Sequence, residues 1–405
     1  MAADRAARLR ICATVFLLVL VLGLSGCWNR RELETLGFVS AAGVDIDPAT
    51  GDVLLTVHVL KPEVLGERAY TEKAFAQFQS KGRTVFEAVR SVIQQAPKRL
   101  FWAHNNLLVI GEEAARGGVV RLLDFFIRDG ETRRDVFVVV AKGTTANDLL
   151  KAEYEIDSLP GTTAYAHIQF ARDSLSTSVA VDLNEFLIRL ESPGAQPLAV
   201  RVELVEKAPA DPPGSIMRET IERSPIMGGA AVFVQDRLVG WLEPLETRGM
   251  LWLGGDVRSG ILAVADPWHA DRDIGLELIR SQAKVRFSQD PSGKLMAKVN
   301  IDAWCYLGDI EWPIEPLQER DFESAVQGAF EAEIRAEALS ALRRLQKEYR
   351  SDVLGWGSAL HRQLPSLWRQ FKERWDDTFP EIEVEVEIRG RVLRSGTNTS
   401  ILRSK

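Results

Sequence analysis

An uncharged, mostly apolar run from Ile11 to Leu24 ends in Leu24-Ser25-Gly26-Cys27, and this junction constrains everything that follows it. Arg5, Arg8 and Arg10 precede the run, against the single acid Asp4. A basic start, a short apolar core and a small-residue exit are the layout of a secretory signal peptide. The core is shorter than the roughly 20 apolar residues that a membrane span needs. An uncleaved signal anchor would share the basic start. The order Leu-Ser-Gly-Cys favours a lipobox, with cleavage between Gly26 and Cys27 and diacylglycerol on the Cys27 thiol. Two acyl chains anchor stably where one binds only marginally. Trp28, Arg30 and Arg31 suit a headgroup layer and anionic lipid, and equally suit a solvated tether. The expected product is a body that folds outside the membrane it crossed and stays held to that membrane at Cys27.

The body has the means to fold there without crosslinks. Of the three cysteines in 405 residues, Cys12 lies in the signal core and Cys27 takes the lipid, so Cys305 has no intramolecular partner. Cys305 sits in the strand-like stretch Val299 to Tyr306 and reads as a small buried hydrophobe, not a reactive thiol. A hydrophobic content of 46% with 26% charged residues describes a folded soluble body. The length suggests two or three domains. A net charge of −7 without a long basic stripe disfavours nucleic acid as a partner.

Periodicity gives the elements. Phe38–Ile46 and Val53–Leu60 read as strands joined through Asp47, Pro48, Gly51 and Asp52, hence a hairpin. Thr84 is a good N-cap for a helix carrying Val85, Ala88, Val89, Val92 and Ile93. Leu107–Ile110 and Asp135–Ala141 read as buried strands around a helix through Val119, Leu122, Leu123 and Phe126. Residues 162–191 read as helical, with Leu183, Phe186, Leu187 and Leu190 on one face. Pro197–Val205 is a strand, and the Pro-rich segment that follows is a connector. Strand signals then dominate from Pro225 to Pro313, with hairpins at Gln235-Asp236-Arg237 and at 289–294. A short helix over Glu243–Leu253 lies between those hairpins.

Phe322, Val326, Phe330, Ile334, Leu342, Leu345 and Tyr349 mark a long amphipathic helix. Leu354 to Trp375 reads as a second helix. Ile382, Val384, Val386 and Ile388 alternate with glutamates as a half-buried strand. The expected division is a signal peptide over 1–26, a tether over 27–37, a mixed α/β region over 38–206, a linker over 207–224, an α+β region over 225–393 and a tail over 394–405. The class is α+β, with antiparallel or mixed sheets and a long C-terminal helix.

In this order the segments resemble the Ger(x)C family, the C-subunit lipoproteins of spore germinant receptors. The likeness runs from Cys27-Trp28-Asn29-Arg30-Arg31-Glu32-Leu33 and Ala42-Gly43-Val44-Asp45 through His104 to Glu113 and Arg128 to Asp135, where Gly130 stands in place of an expected proline. It continues with Gly229 to Phe233, Arg237 to Leu242 and Glu246 to Leu253. It ends with Asp352-Val353-Leu354-Gly355-Trp356-Gly357 and Trp375 to Pro380. The resemblance implies a three-domain mixed α/β protein on the outer face of the spore inner membrane. Such a protein works with A-type and B-type integral membrane subunits in sensing nutrients, and the B-type subunit takes the germinant.

The residues themselves offer little chemistry. His58, His104, His167, His269 and His361 are far apart, without the close spacing of a metal pair. No Gly-x-Ser-x-Gly elbow occurs. Gly255 to Gly260 lacks the lysine of a phosphate loop. The expectation is a non-enzymatic protein with no cofactor, acting by protein–protein contact. Trp241, Trp252 and Trp356 are the candidate contact residues, each with core packing as the competing reading; for Trp356, Trp368 and Trp375, which fall in one segment at helical spacing, core packing is the favoured one. The alternative function is a solute-binding lipoprotein that delivers a ligand to a transporter, which calls for two similar lobes around a cleft.

Overall fold

The computed structural model describes residues 13–16, 35–64, 74–96, 98–152, 160–206, 223–269, 271–310 and 319–393. The Gly26–Cys27 junction, the residues just after it, most of the 207–224 linker and the 394–405 tail lie outside the described residues.

The expected hairpin forms: β1 (Leu36–Ile46) turns through Gly51, at a φ of 74°, into antiparallel β2 (Val53–Leu60). β3 (Phe75–Gly82) adds an outer edge whose sequence, Phe-Ala-Gln-Phe-Gln-Ser-Lys-Gly, has weak strand character. α1 (Val85–Ser91) is capped by the Thr84 hydroxyl, which accepts from Glu87 N–H at 3.1 Å. The helical path loosens after Ser91, and Ile93 lies outward, 48% exposed.

β4 (Arg99–Phe101) and β5 (Leu107–Gly111) then pair parallel to the start and middle of β1. α2 (Glu112–Gly117) and α3 (Val120–Arg128) lead to β6 (Phe137–Lys142). α4 (Ala146–Lys151), α5 (Pro160–Phe170) and α6 (Leu183–Glu191) lead to β7 (Leu198–Glu206). β5, β6 and β7 continue the parallel core begun by β1. Parallel strands need crossovers that cover them, so they are buried on both faces and read as continuous apolar runs.

The single helical stretch expected over 162–191 is divided. Ser176 takes a φ of 51°, and the chain then runs extended beside β8, with Thr177 accepting from Gly229 N–H at 2.7 Å. Helix resumes only where the Asp182 side chain caps α6 through Glu185 N–H. The Ser-Thr-Ser hydroxyls of 176–178 compete locally with a helical backbone, which makes this the weak point.

β8 (Arg223–Val234) pairs antiparallel with β7, and β9 (Arg237–Leu242) with β8, completing a 9-stranded sheet. The main order is β3-β2-β1-β5-β6-β7-β8-β9, with β4 beside β1. The 207–224 segment therefore parts two lengths of chain without parting two sheets, because β8 covers the open edge of β7.

α7 (Pro244–Gly254) leads to a second sheet of four strands, β10 (Gly260–Ala265), β11 (Asp273–Gln289), β12 (Leu295–Asp309) and, last among the described residues, β13 (Glu383–Leu393). β10, β11 and β12 run antiparallel, while β13 returns parallel to β12. That return needs a long crossover. α8 (Glu319–Arg343) supplies most of it, with Phe322, Val326, Phe330 and Ile334 buried against β10 and β13. Burying each such side chain stabilises by roughly 1.5–3 kcal/mol. Its last turns widen over Arg344–Tyr349.

The second C-terminal helix is in fact three pieces: α9 (Trp356–Gln363), α10 (Pro365–Phe371) and α11 (Trp375–Thr378). Leu364 precedes a proline and sits at φ −138°, ψ 71°, outside helical geometry. Proline excludes its predecessor from the helical region by steric clash.

Candidate functional site

The matched sequence segments place their polar residues at junctions between elements. In the first sheet, Asp45 at the end of β1 reaches across to cap α4, accepting from Ala146 N–H at 2.8 Å and Asn147 N–H at 3.0 Å. Burial raises its pKa. A side chain at Gly111 would meet the Asp45 carboxylate at 1.9 Å, so the glycine makes room for the cap. His104 is a ring partner of Phe38 and Phe101 at 5.4 and 5.9 Å, which is a packing role.

Arg248 of α7 is buried and forms a bidentate ion pair with buried Glu337 of α8. Arg248 also donates to the Ile261 carbonyl at 3.0 Å, and the Trp252 indole donates to Glu337 at 2.9 Å. Gly249 lets the two helices touch: a β-carbon there would lie 2.1 Å from the Glu337 carbonyl oxygen.

Asp352 is the third junction. One carboxylate oxygen accepts from Trp356 N–H at 3.0 Å; the other accepts from Gly357 N–H and the Trp375 indole, both at 2.9 Å. Burial pushes this carboxyl up to about 6, against those donors. Its own carbonyl accepts from Gln196 N–H at 2.9 Å, and Ser358 N–H donates to Gly194 O at 2.8 Å. These bonds fasten α9 to the loop before β7.

Two of the three candidate contact tryptophans are thereby corrected. Trp252 is 0% and Trp356 2% exposed, so neither offers a surface. The Trp252 indole lies on Glu337, and Trp356 packs on Phe287 beside Asp352. Trp241, on β9, is half-buried. Its backbone exchanges hydrogen bonds with the Tyr349 hydroxyl, and its indole reaches Glu112. Burial alone would raise the Glu112 pKa, but Gly143 N–H, Arg116 and this indole lower it overall.

Cys305 is buried, and burial pushes its thiol up to about 12, which leaves no thiolate at neutral pH. Among the described residues no cluster of three or more His, Cys, Asp or Glu is placed to hold a metal ion. No described helix is long and apolar enough to cross a membrane. A cleft of about 190 Å³ lies between α6, the end of α7 and the loop before α9, lined by Glu185, Arg189, Met250, Asp256 and Leu354 among others. It falls below the roughly 300–1,000 Å³ typical of small-molecule sites. Its Arg189 is engaged by Glu185 and the Val353 carbonyl. A more open groove of about 410 Å³ runs between α1 and α3 beside Phe86 and Phe125.

Two family models match the chain in tandem: the spore germination protein N-terminal domain over residues 29–204, and the spore germination B3/GerAC-like C-terminal domain over residues 228–396. The chain belongs to the GerAC family of spore germination proteins. Within this family it is 25% identical to spore germination protein KC of Bacillus subtilis, over 94% of this chain and 95% of that one. It is 24% identical to spore germination protein B3 of the same organism, over 93% and 96%. The fold is that of the GerBC crystal structure, with a TM-score of 0.52 and 20% identity over 87% of this chain and 97% of that one. Asp45, the α7 residues around Arg248, and Asp352 all lie inside the GerAC-matched regions, where they act as structural junctions.

Proposed function

We propose that this GerAC-family chain is a lipid-anchored accessory subunit of a nutrient germinant receptor, working in spore germination through contacts with A-type and B-type integral membrane subunits. The observation that carries the reading is the tandem match of both family regions in order, with relatives named as spore germination proteins over nearly their full length. The lipobox at Cys27 supplies the anchor on the outer face of the spore inner membrane. Confinement to that surface raises the effective concentration of the body near its partners, so a weak interface suffices.

The solute-binding alternative has less support. Its two similar lobes have no counterpart in a 9-stranded sheet beside a 4-stranded one. In the test, Cys27→Ala releases the protein from spore membranes or leaves an unlipidated precursor, and the wild type co-purifies with integral membrane subunits. Membrane retention at normal mature mass in Cys27→Ala rules out the anchor. A wild type that never co-purifies or crosslinks with a membrane protein rules out the subunit role.

A further inference from the structure

The small sheet has one face turned to the core and one turned to solvent. Along β12, Ala297, Val299, Ile301, Ala303 and Cys305 are buried, so the two-residue period sets Met296, Lys298, Asn300, Asp302, Trp304 and Tyr306 on the other face. Part of this outer face neutralises itself, while Lys284 and Arg286, opposite Asn300 and Lys298, have no ion pair among the described residues. Lys298 lies 3.0 Å from Glu385 and 3.1 Å from Glu387, and Arg389 lies 3.4 Å from Glu387.

The end at Trp304 is different. In one ladder row Ile261 faces Glu277, Glu277 faces Tyr306, and Tyr306 faces Leu393. Ile261, Tyr306 and Leu393 are 60%, 39% and 40% exposed. In the next row Trp304 stands between Arg280 and Arg391. Ile279 is an extra residue in the β11 register, and that bulge sets Arg280 beside Trp304. The two guanidinium carbons lie 4.2 and 5.7 Å from the indole centroid. Neither arginine has a carboxylate partner among the described residues, and Glu277 pairs with neither.

Tryptophan, tyrosine and arginine are the residues that carry most binding energy at protein interfaces. Here two arginines are held on an indole, without an ion-pair partner among the described residues, in a chain of net charge −7. A guanidinium presents a fork that fits a carboxylate. A second copy in a two-fold contact would bring the same arginines against each other. An anionic bilayer laid on this face would meet Glu277, Glu383, Glu385 and Glu387 interleaved with Lys284, Arg286, Lys298 and Arg389, whereas the arginine pair on Trp304 suits a local carboxylate. We propose that the Trp304 end of the small sheet, with Arg280 and Arg391, is a docking surface for a protein partner that presents carboxylates beside apolar side chains. The proposal rests on the accessory-subunit reading and names the surface that such a subunit would use.

A photocrosslinking residue placed at Tyr306 of the full-length lipidated protein tests it in native spore membranes, with the same residue at Lys298 as a control on the self-neutralised part. The expected result is a Tyr306 crosslink to a membrane-protein peptide containing aspartate or glutamate. Arg280→Glu with Arg391→Glu should reduce that crosslink about tenfold while the thermal midpoint stays at wild type, as befits two exposed side chains. Trp304→Ala should reduce it likewise. Crosslinks to lipid, or binding to phosphatidylglycerol vesicles that the arginine reversals abolish, would overturn the proposal in favour of the bilayer. Co-purification of membrane subunits that both reversals leave intact would overturn the surface and spare the subunit role. Loss of all co-purification already in the wild type would overturn the role itself, and the surface with it.

Discussion

Burial takes the Asp352 carboxyl out of water and raises its pKa from an ordinary 3.8 to about 6. A carboxyl whose folded pKa lies above its unfolded one binds its proton more tightly in the folded chain, so its stabilising contribution is full below about pH 4 and is lost as pH rises through about 6. Two pH units correspond to about 3 kcal/mol. The stability of wild type relative to Asp352→Asn should therefore fall by about that amount between pH 4 and pH 7, as measured by urea unfolding at each pH. A flat difference would mean that the donors around Asp352 offset its burial completely. The Arg248–Glu337 pair makes a second prediction at this scale. Removing one partner leaves a buried charge alone and should cost about 3–5 kcal/mol, whereas replacing both by apolar residues should cost less than either single change. A double-mutant cycle in Arg248→Met and Glu337→Leu reads this directly. Additive losses would show that the two side chains are independent.

The helices show how one residue type acts oppositely in two settings. Gly249 of α7 faces α8 at backbone contact, while Gly328 of α8 is exposed, and a β-carbon added there would have nothing within 4 Å. Gly249→Ala must push the two helices apart, so it should destabilise by about 1–3 kcal/mol. Gly328→Ala adds no contact and removes backbone freedom from the unfolded chain, so it should stabilise by about 1 kcal/mol. Thermal unfolding of the two variants should move in opposite directions. Stabilisation in both would mean that helix propensity, not packing, governs α7.

Across the whole molecule, the C-terminal helices tie the sheets together. Ser351 donates to the Phe233 carbonyl, Tyr349 bonds the Trp241 backbone, and Asp352 and Ser358 bond the 194–196 loop. The apolar side chains of both sheets and of α8 belong to one continuous core. The body should therefore unfold in a single transition, with tryptophan fluorescence and far-ultraviolet circular dichroism giving coincident curves. Two separated transitions would show that the sheets fold independently despite these bonds.

Sequence alone determined the local features, because each depends on residues close in the chain. The β1–β2 hairpin follows from Asp47 to Asp52, the α1 start from Thr84, the α8 stripe from a four-residue repeat, and the buried state of Cys305 from alternation along β12. The ordered motifs from Ala42 to Pro380 were likewise legible, and the family follows from them. The alternation that buries Cys305 also puts Trp304 and Tyr306 on the opposite face of β12. Only the tertiary structure decided that Trp252 and Trp356 are core, because Glu337 of α8 and Phe287 of β11 reach them from distant parts of the chain. It alone decided that β8 and β9 complete the first sheet, since strand partners are chosen by edges that meet in space. It alone set two arginines on Trp304, because Arg280 and Arg391 reach that indole through a bulge in one neighbouring strand and the parallel register of the other.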